Sequence, residues 1–265
     1  MAPVTEVALL PLPAGSTVDD PSTDAGQVWQ DSLNTVMGVD GAERAYWSRE
    51  VENPTMLRLF VDWKSLQHHK TFIADKAYGP FVKHLLSILD GGPQLYHVEF
   101  QPHPPKPLSQ TIAPATEVLT MFFPASLSTA DQESVTENMK KLGSAIEDSK
   151  PEGFRGISGG WVVEELDNEK VGGKAKAFMA VIGWASIDAH MQFRETDEFK
   201  SNIYLVRDAP HLKDMKMVHV ESKEVQGPLG GTQIVQDEVL NPQAGEKKPP
   251  STRSDGTSTK FERRD

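Results

Sequence analysis

The chain carries one pattern twice. Trp63, Ser65, His69 and Phe72 are spaced W-x-S-x-x-x-H-x-x-F, and Trp184, Ser186, His190 and Phe193 repeat that spacing residue for residue. With only 5 Trp and 8 His in 265 residues, chance is a poor explanation. The flanks agree as well, since Thr5-Glu6-Val7 recurs as Thr116-Glu117-Val118 and His97-Val98-Glu99 as His219-Val220-Glu221. The offset drifts only from 111 (116 minus 5) through 121 (184 minus 63) to 122 (219 minus 97). Two copies of one domain, each of about a hundred residues, account for such a pattern.

Each copy reads as strand, helix, hairpin, helix, strand. In the first, Val7 to Leu12 is a short apolar strand, and Ser22, Thr23 and Asp24 are capping candidates for a helix bearing Trp29, Leu33 and Val36. Tyr46 and Ser48 then alternate with Trp47 and Arg49 until Glu52-Asn53-Pro54-Thr55 turns the chain. Leu57, Leu59, Val61 and Trp63 share one face of the next strand, Ser65 is placed to cap the following helix, and Gly79-Pro80 breaks it. Leu95 to Phe100 closes the unit. The second copy repeats this order, with a helical stripe of Val135, Met139, Leu142 and Ile146, hairpin strands at Trp161 to Leu166 and Phe178 to Trp184, and a last strand from Met215 to Val220. Gly91-Gly92, Gly159-Gly160, Gly172-Gly173 and Gly230-Gly231 read as turns.

The expected domains are therefore residues 1–101 and 115–222, joined by a proline-rich linker at 102–114 that reads as semi-rigid and extended. Residues 223–265 turn to Gly, Pro, Ser, Thr, Lys and Asp and read as a mostly disordered tail, with a strand or clamp at Thr232 to Leu240 as the exception. A β-α-β-β-α-β unit puts both helices on one face of a four-stranded antiparallel sheet and leaves the other face bare. Two such sheets packed face to face remove the exposed surface. The expected fold class is thus α+β: two ferredoxin-like units forming an intramolecular dimeric α/β barrel.

A net charge of −11 without a concentrated basic patch argues against nucleic acid or an anionic membrane surface as partner. There is no Cys, so disulfides, thiolate metal sites and a Cys nucleophile are excluded. The N-terminus shows no basic n-region, and its apolar run is too short for a span, so a cytoplasmic location is expected.

The strand-ending Trp followed by S-x-x-x-H-x-x-F, within a unit of this size and order, resembles the antibiotic-biosynthesis-monooxygenase domain of the dimeric α/β-barrel superfamily. The resemblance covers residues 5 to 101 and 116 to 222. It implies cofactor-independent oxygenation of a small aromatic or polyketide-type compound, in which a dry pocket, a base and donors to dioxygen do the work and neither metal nor flavin takes part. The haem-degrading branch of the superfamily fits poorly: Val7 to Leu12 and Val118 to Phe123 lack its strand Asn, and its helical Trp falls on Phe72 and Phe193. The alternative function is a non-catalytic hydrophobic-ligand-binding or stress-response protein of the same fold.

The differences between the copies direct the search for one active site. His84, Tyr78 and Trp29 occur only in the first, so a pocket over the first sheet lined by Trp29, Trp47, Phe72 and His84 would suit an aromatic ligand. His84 and His69 are the catalytic candidates; Trp29, Trp47, Trp63, Phe72, Tyr78, His190 and Phe193 are the pocket candidates. For His69 and His190 the competing reading is a structural His bonded to a backbone carbonyl, and for Trp63 and Trp184 it is a core anchor. His97 with Glu99, and His219 with Glu221, share strand faces, and a hydrogen-bonded network there asks for less than a two-His, two-carboxylate metal site. If the apolar residues beside them meet the helices, these pairs face the other sheet or solvent. Further homodimerisation is left open.

Overall fold

The computed structural model describes residues 2–226. The first unit runs β1 (Val4–Pro11), α1 (Asp24–Met37), β2 (Ala42–Arg49), β3 (Met56–Trp63), α2 (Leu66–Ile73), α3 (Tyr78–Leu86) and β4 (Gln94–Val98). The second runs β5 (Ala115–Pro124), α4 (Thr129–Ser149), β6 (Phe154–Trp161), β7 (Leu166–Asn168), β8 (Gly173–Trp184), α5 (Ile187–Phe193), α6 (Asp197–Asn202), α7 (Tyr204–Arg207) and β9 (Asp214–Val220), followed by β10 (Lys223–Gln226). Sheet orders are β10-β2-β3-β1-β4 and β6-β8-β5-β9, with β7 paired to β8, and every pairing is antiparallel. These are the two ferredoxin-like units expected.

Local chemistry starts the helices. Thr23 accepts from the Gly26 N–H at the head of α1, Ser128 from Asp131 in α4, and Ser186 from Ala189 in α5. Ser65 holds the same position before α2 but makes no cap bond; its hydroxyl pairs with Nδ1 of His68 at 2.8 Å.

Strand alternation sorts side chains between two faces. Val7, Tyr46, Phe60, Tyr96, Val98 and Phe100 of the first sheet meet Val118, Phe122, Met179 and Val181 of the second in a shared core. The opposite face of the first sheet packs Leu10, Leu57, Leu59, Val61 and Trp63 under α1 to α3; its counterpart packs Met121, Phe123, Phe178 and Trp184 under α4 to α7. This reverses one expectation. The apolar residues flanking His97 meet the other sheet, and His97 itself looks toward the helices, where His69 of α2 meets it.

The last strand of each unit continues onto the other sheet. Beyond β4, the Glu99 N–H donates to the Trp161 carbonyl, and Gln101 exchanges both backbone bonds with Gly159. At the end of β9, the Val51 N–H donates to the His219 carbonyl, and beyond it β10 pairs with β2. Each sheet thus covers a free edge of the other, and the two are held face to face by these crossing strand ends.

Three sequence expectations change. The first hairpin strand of the second unit lies at Phe154–Trp161 rather than Trp161 to Leu166, with Gly159 and Gly160 inside it instead of in a turn. Gly160 is there because a Cβ would stand 2.1 Å from the Glu99 carbonyl oxygen of the crossing strand. The linker is packed rather than extended: Lys106–Leu108 forms a 3-10 turn, and Pro107 and Leu108 are buried. Of the expected tail, residues 223–226 form β10; the remainder, including Thr232 to Leu240 and Gly230-Gly231, lies outside the described residues.

Candidate functional site

The repeated motif builds a buried chain of acids and imidazoles in each half. At the end of β3, the indole N–H of Trp63 donates to Oε2 of Glu6 at 2.9 Å. Nε2 of His69 stands 3.4 Å from the same oxygen, and its Nδ1 is 2.7 Å from Nε2 of His97. Nδ1 of His97 meets Oε1 of Glu164 at 2.7 Å, and the His97 backbone N–H donates to Oε2 of that carboxylate at 2.7 Å. The imidazole of His69 stacks on Trp63 with ring centroids 4.8 Å apart and planes 15° from parallel.

The second half repeats the constellation. His190 Nε2 is 3.1 Å from Glu117, its Nδ1 is 2.8 Å from His219, and Glu52 receives both the Nδ1 and the backbone N–H of His219, at 2.5 and 2.8 Å. His190 stacks on Trp184 at 5.1 Å. Trp184 Nε1, unlike Trp63 Nε1, has no partner in hydrogen-bond geometry. In both halves the terminal glutamate comes from the opposite unit, on the loop that leaves the first hairpin strand.

Electrostatics give the chain a direction. Burial pushes the Glu6 carboxyl above its ordinary range, against the Trp63 hydrogen bond. Burial also lowers His69 to about 4, so its ring is neutral near pH 7. Burial raises Glu164, but the side-chain and backbone hydrogen bonds from His97 outweigh this and hold it low as a carboxylate. With Glu164 ionised, His97 places a proton on Nδ1 and offers the Nε2 lone pair to the Nδ1–H of His69. His69 Nε2 is then left to accept from a protonated Glu6. Shifting two protons along the row converts Glu6 to a carboxylate and His97 to a cation held by Glu164. In the second half burial raises Glu117 to about 7, opposed by Arg194 and the nearby Trp184 N–H, and lowers His190 to about 4.

In the first half this row ends in a cavity of about 70 Å³ between the sheet and α2–α3. Ala8, Leu59, Trp63, Phe72, Phe81 and Leu85 supply apolar wall, and Glu6, His69 and Tyr78 are its polar members. Burial and the neighbouring Glu6 charge raise the Tyr78 phenol above its ordinary value. Tyr78 meets Phe72 edge-on at 5.2 Å.

Of the residues singled out from sequence, His69, Trp63, Phe72 and Tyr78 come together at this cavity. His84 is not among its lining residues: its side chain is 47% exposed on α3, with Nε2 3.6 Å from Asp31. Trp29 and Trp47 fill space rather than line it, packed edge to face at 5.5 Å. His190 and Phe193 are buried in the second half. His69 bonds side chains and not a backbone carbonyl, and Glu99 and Glu221 are exposed while Glu164 and Glu52 take the places beside the histidines. Sequence reasoning missed Glu6, Glu117, Glu52 and Glu164. A signal existed, since a Glu inside an apolar strand and a Val-Glu pair after the first hairpin strand each occur in both copies. Among the described residues, no three His, Asp or Glu side chains converge as metal ligands, and no helix is long and apolar enough to cross a membrane.

No protein-family profile matches the chain, and no curated protein does. Solved structures share its fold. A candidate monooxygenase from Fusobacterium nucleatum superposes over 85% of this chain and 94% of its own, with TM-score 0.57 and 15% identity. A candidate monooxygenase from Lactobacillus acidophilus matches over 86% and 97%, with TM-score 0.53 and 11% identity. An anthrone oxidase-like protein matches over 86% and 94%, with TM-score 0.60 and 12% identity. At these identities the likeness is one of fold, and its extent means that each of those chains also carries both units.

Proposed function

We propose that the chain is a cofactor-independent monooxygenase of a small, electron-rich aromatic compound, with one active site in the first half and Glu6 as its base. The observation that carries this reading is the meeting of Glu6 and His69 with an apolar cavity at the inner end of a row that reaches Glu164, whose side chain is 39% exposed. The monooxygenase names of the structural neighbours support it. The anthrone oxidase-like neighbour makes an anthrone the first substrate to test.

The Glu6 carboxylate, once its own proton has moved through His69 to His97, takes a proton from the substrate. The resulting anion reduces dioxygen and forms a C–O bond, and loss of water from the hydroperoxide leaves a carbonyl. One CH₂ and one O₂ become one C=O and one H₂O, so no external reductant is needed. The apolar wall keeps bulk water from the anion.

The second reading is a non-catalytic hydrophobic-ligand-binding protein, and one observation favours it. Ligand sites generally occupy about 300 to 1,000 Å³, whereas this cavity holds about 70 Å³. A tricyclic substrate therefore requires α3, which carries Tyr78, Phe81, Val82 and Leu85, to swing outward. Oxygen uptake with an anthrone separates the readings: it is expected in the wild type and in Glu117→Gln and lost in Glu6→Gln. No uptake above the buffer rate across several anthrones and naphthols would leave the binding reading.

A further inference from the structure

The two halves differ most where α1 and α4 cross their sheets. Superimposing the buried stripe Trp29, Ser32, Leu33 and Val36 of α1 on that of α4 places Trp29 at Met139 and Leu33 at Gly143. Strand register matches Trp47, opposite Leu59, with Gly159, opposite Ala180. Leu59 and Ala180 are related by the same offset as the motif residues Trp63 and Trp184. Two indoles in edge-to-face contact in the first half therefore correspond to a thioether and a hydrogen in the second.

The Phe178 ring, 3.0 Å from where a Gly159 Cβ would stand, takes part of that space, and the rest opens into a cleft of about 690 Å³ between α4 and β6. Met139, Ile157, Trp161 and Phe178 make its floor and walls, and Gly143 leaves it open along α4. The Trp161 and Phe178 rings stand nearly perpendicular at 5.4 Å, with Trp161 anchored by its Nε1 on Thr136 at 3.0 Å. Such a corner presents both a ring face and a ring edge to a guest. At the mouth stand Glu99, Glu147 and Lys140, and Lys140 is paired with Glu137 at 2.7 Å. An anionic guest would meet carboxylates without a free counter-ion.

We propose that this cleft binds a neutral, planar, fused-ring aromatic molecule, seated beside Met139 and Gly143 where the first half keeps the indole of Trp29. Its volume falls within the range of small-molecule sites, and the other half shows the shape and chemistry that complement such a surface. The cleft is built on α4, β6 and β8 with Glu99, Gln101 and Pro102 of the crossing strand along its rim; none of Glu6, His69 or Tyr78 lines it, and its existence does not depend on the oxygenase reading.

The test uses the full chain and N-phenyl-1-naphthylamine, a neutral probe whose emission rises in apolar surroundings, titrated with no turnover substrate present. Saturable binding is expected in the wild type. Met139→Trp, which restores the Trp29 counterpart, should weaken it by about tenfold or more, corresponding to about 1.4 kcal/mol. Gly143→Leu provides a second filling, because a Cβ there meets only Ile157 Cγ2, at 3.3 Å. Val82→Phe, which narrows the first-half cavity, should leave binding unchanged, and thermal melting confirms that each variant is folded. Absence of saturable binding in the wild type overturns the proposal. So does loss of binding in Val82→Phe with retention in Met139→Trp and Gly143→Leu, since the probe would then sit in the first-half cavity.

Discussion

Glu164 holds His97 of the opposite unit with both carboxylate oxygens, one on the backbone N–H and one on Nδ1, each at 2.7 Å. Glu52 holds His219 in return. Each unit therefore finishes its row of acids and imidazoles with a residue borrowed from the other, and neither row is complete in an isolated unit. Fusion keeps lender and borrower at a fixed ratio and high effective concentration.

The exchanged carboxylates can be tested against each other. Glu164 and Glu52 are similarly exposed, at 39% and 44%, so truncating either to Ala should cost a similar, solvent-discounted amount of about 1 kcal/mol. Denaturant melts measure that cost. Oxygen uptake should fall in Glu164→Ala alone, because only that row ends in the first-half cavity; equal loss in both would assign the carboxylates to the fold and not to the relay.

His69→Ala and His190→Ala form the second matched pair. Each removes a ring stacked on Trp and leaves a buried imidazole nitrogen and a buried carboxyl facing empty volume, at a cost of about 2–4 kcal/mol. The stability losses should match, while only His69→Ala should lose activity, with partial recovery in added imidazole. Activity loss in both, without recovery, would count against His69 as a proton carrier.

The doubled Trp–Ser–His–Phe spacing made the fold legible, because scarce residues at fixed intervals survive only when the backbone around them is repeated. The site was legible in part. His69, Trp63, Phe72 and Tyr78 meet at the cavity because the motif fixes the strand-to-helix corner. Glu6 was overlooked inside an apolar strand, where its neighbours suggest core and its own pairing to Trp63 is a tertiary fact. Glu164 was unreadable as a partner of His97, 67 residues away, because only the packing of the two sheets brings them together. Trp29 and Trp47 were aromatic and near one another, and sequence cannot distinguish rings that line a pocket from rings that fill one.

His84→Ala should change little. Its ring is 47% exposed and stands 3.6 Å from the exposed Asp31, so the pair contributes little to stability. Melting and oxygen uptake are both expected at wild-type values, within about 0.5 kcal/mol for stability. A loss of uptake without a loss of stability would mean that α3 rotates His84 toward the cavity when substrate enters.

The pH dependence of stability provides the last test, through Glu117 and His190. Glu117 rises from its ordinary 4.5 to about 7 in the folded chain, so the folded state binds the extra proton. Its stabilising contribution is complete below pH 4.5 and is lost as pH rises through 7. His190 moves the other way, from 6.5 to about 4, so its contribution is complete above 6.5 and is lost as pH falls through 4. Between 4.5 and 6.5 the two limbs oppose each other, and the wild type should show little slope from this pair. Glu117→Gln keeps the size of the side chain and deletes only the first limb. Its stability relative to wild type should therefore climb between pH 4.5 and 7, read as the difference in urea midpoints across that window. A constant difference would mean that Glu117 keeps its charge in the fold, and that the second row does not follow the donor and acceptor order derived for the first.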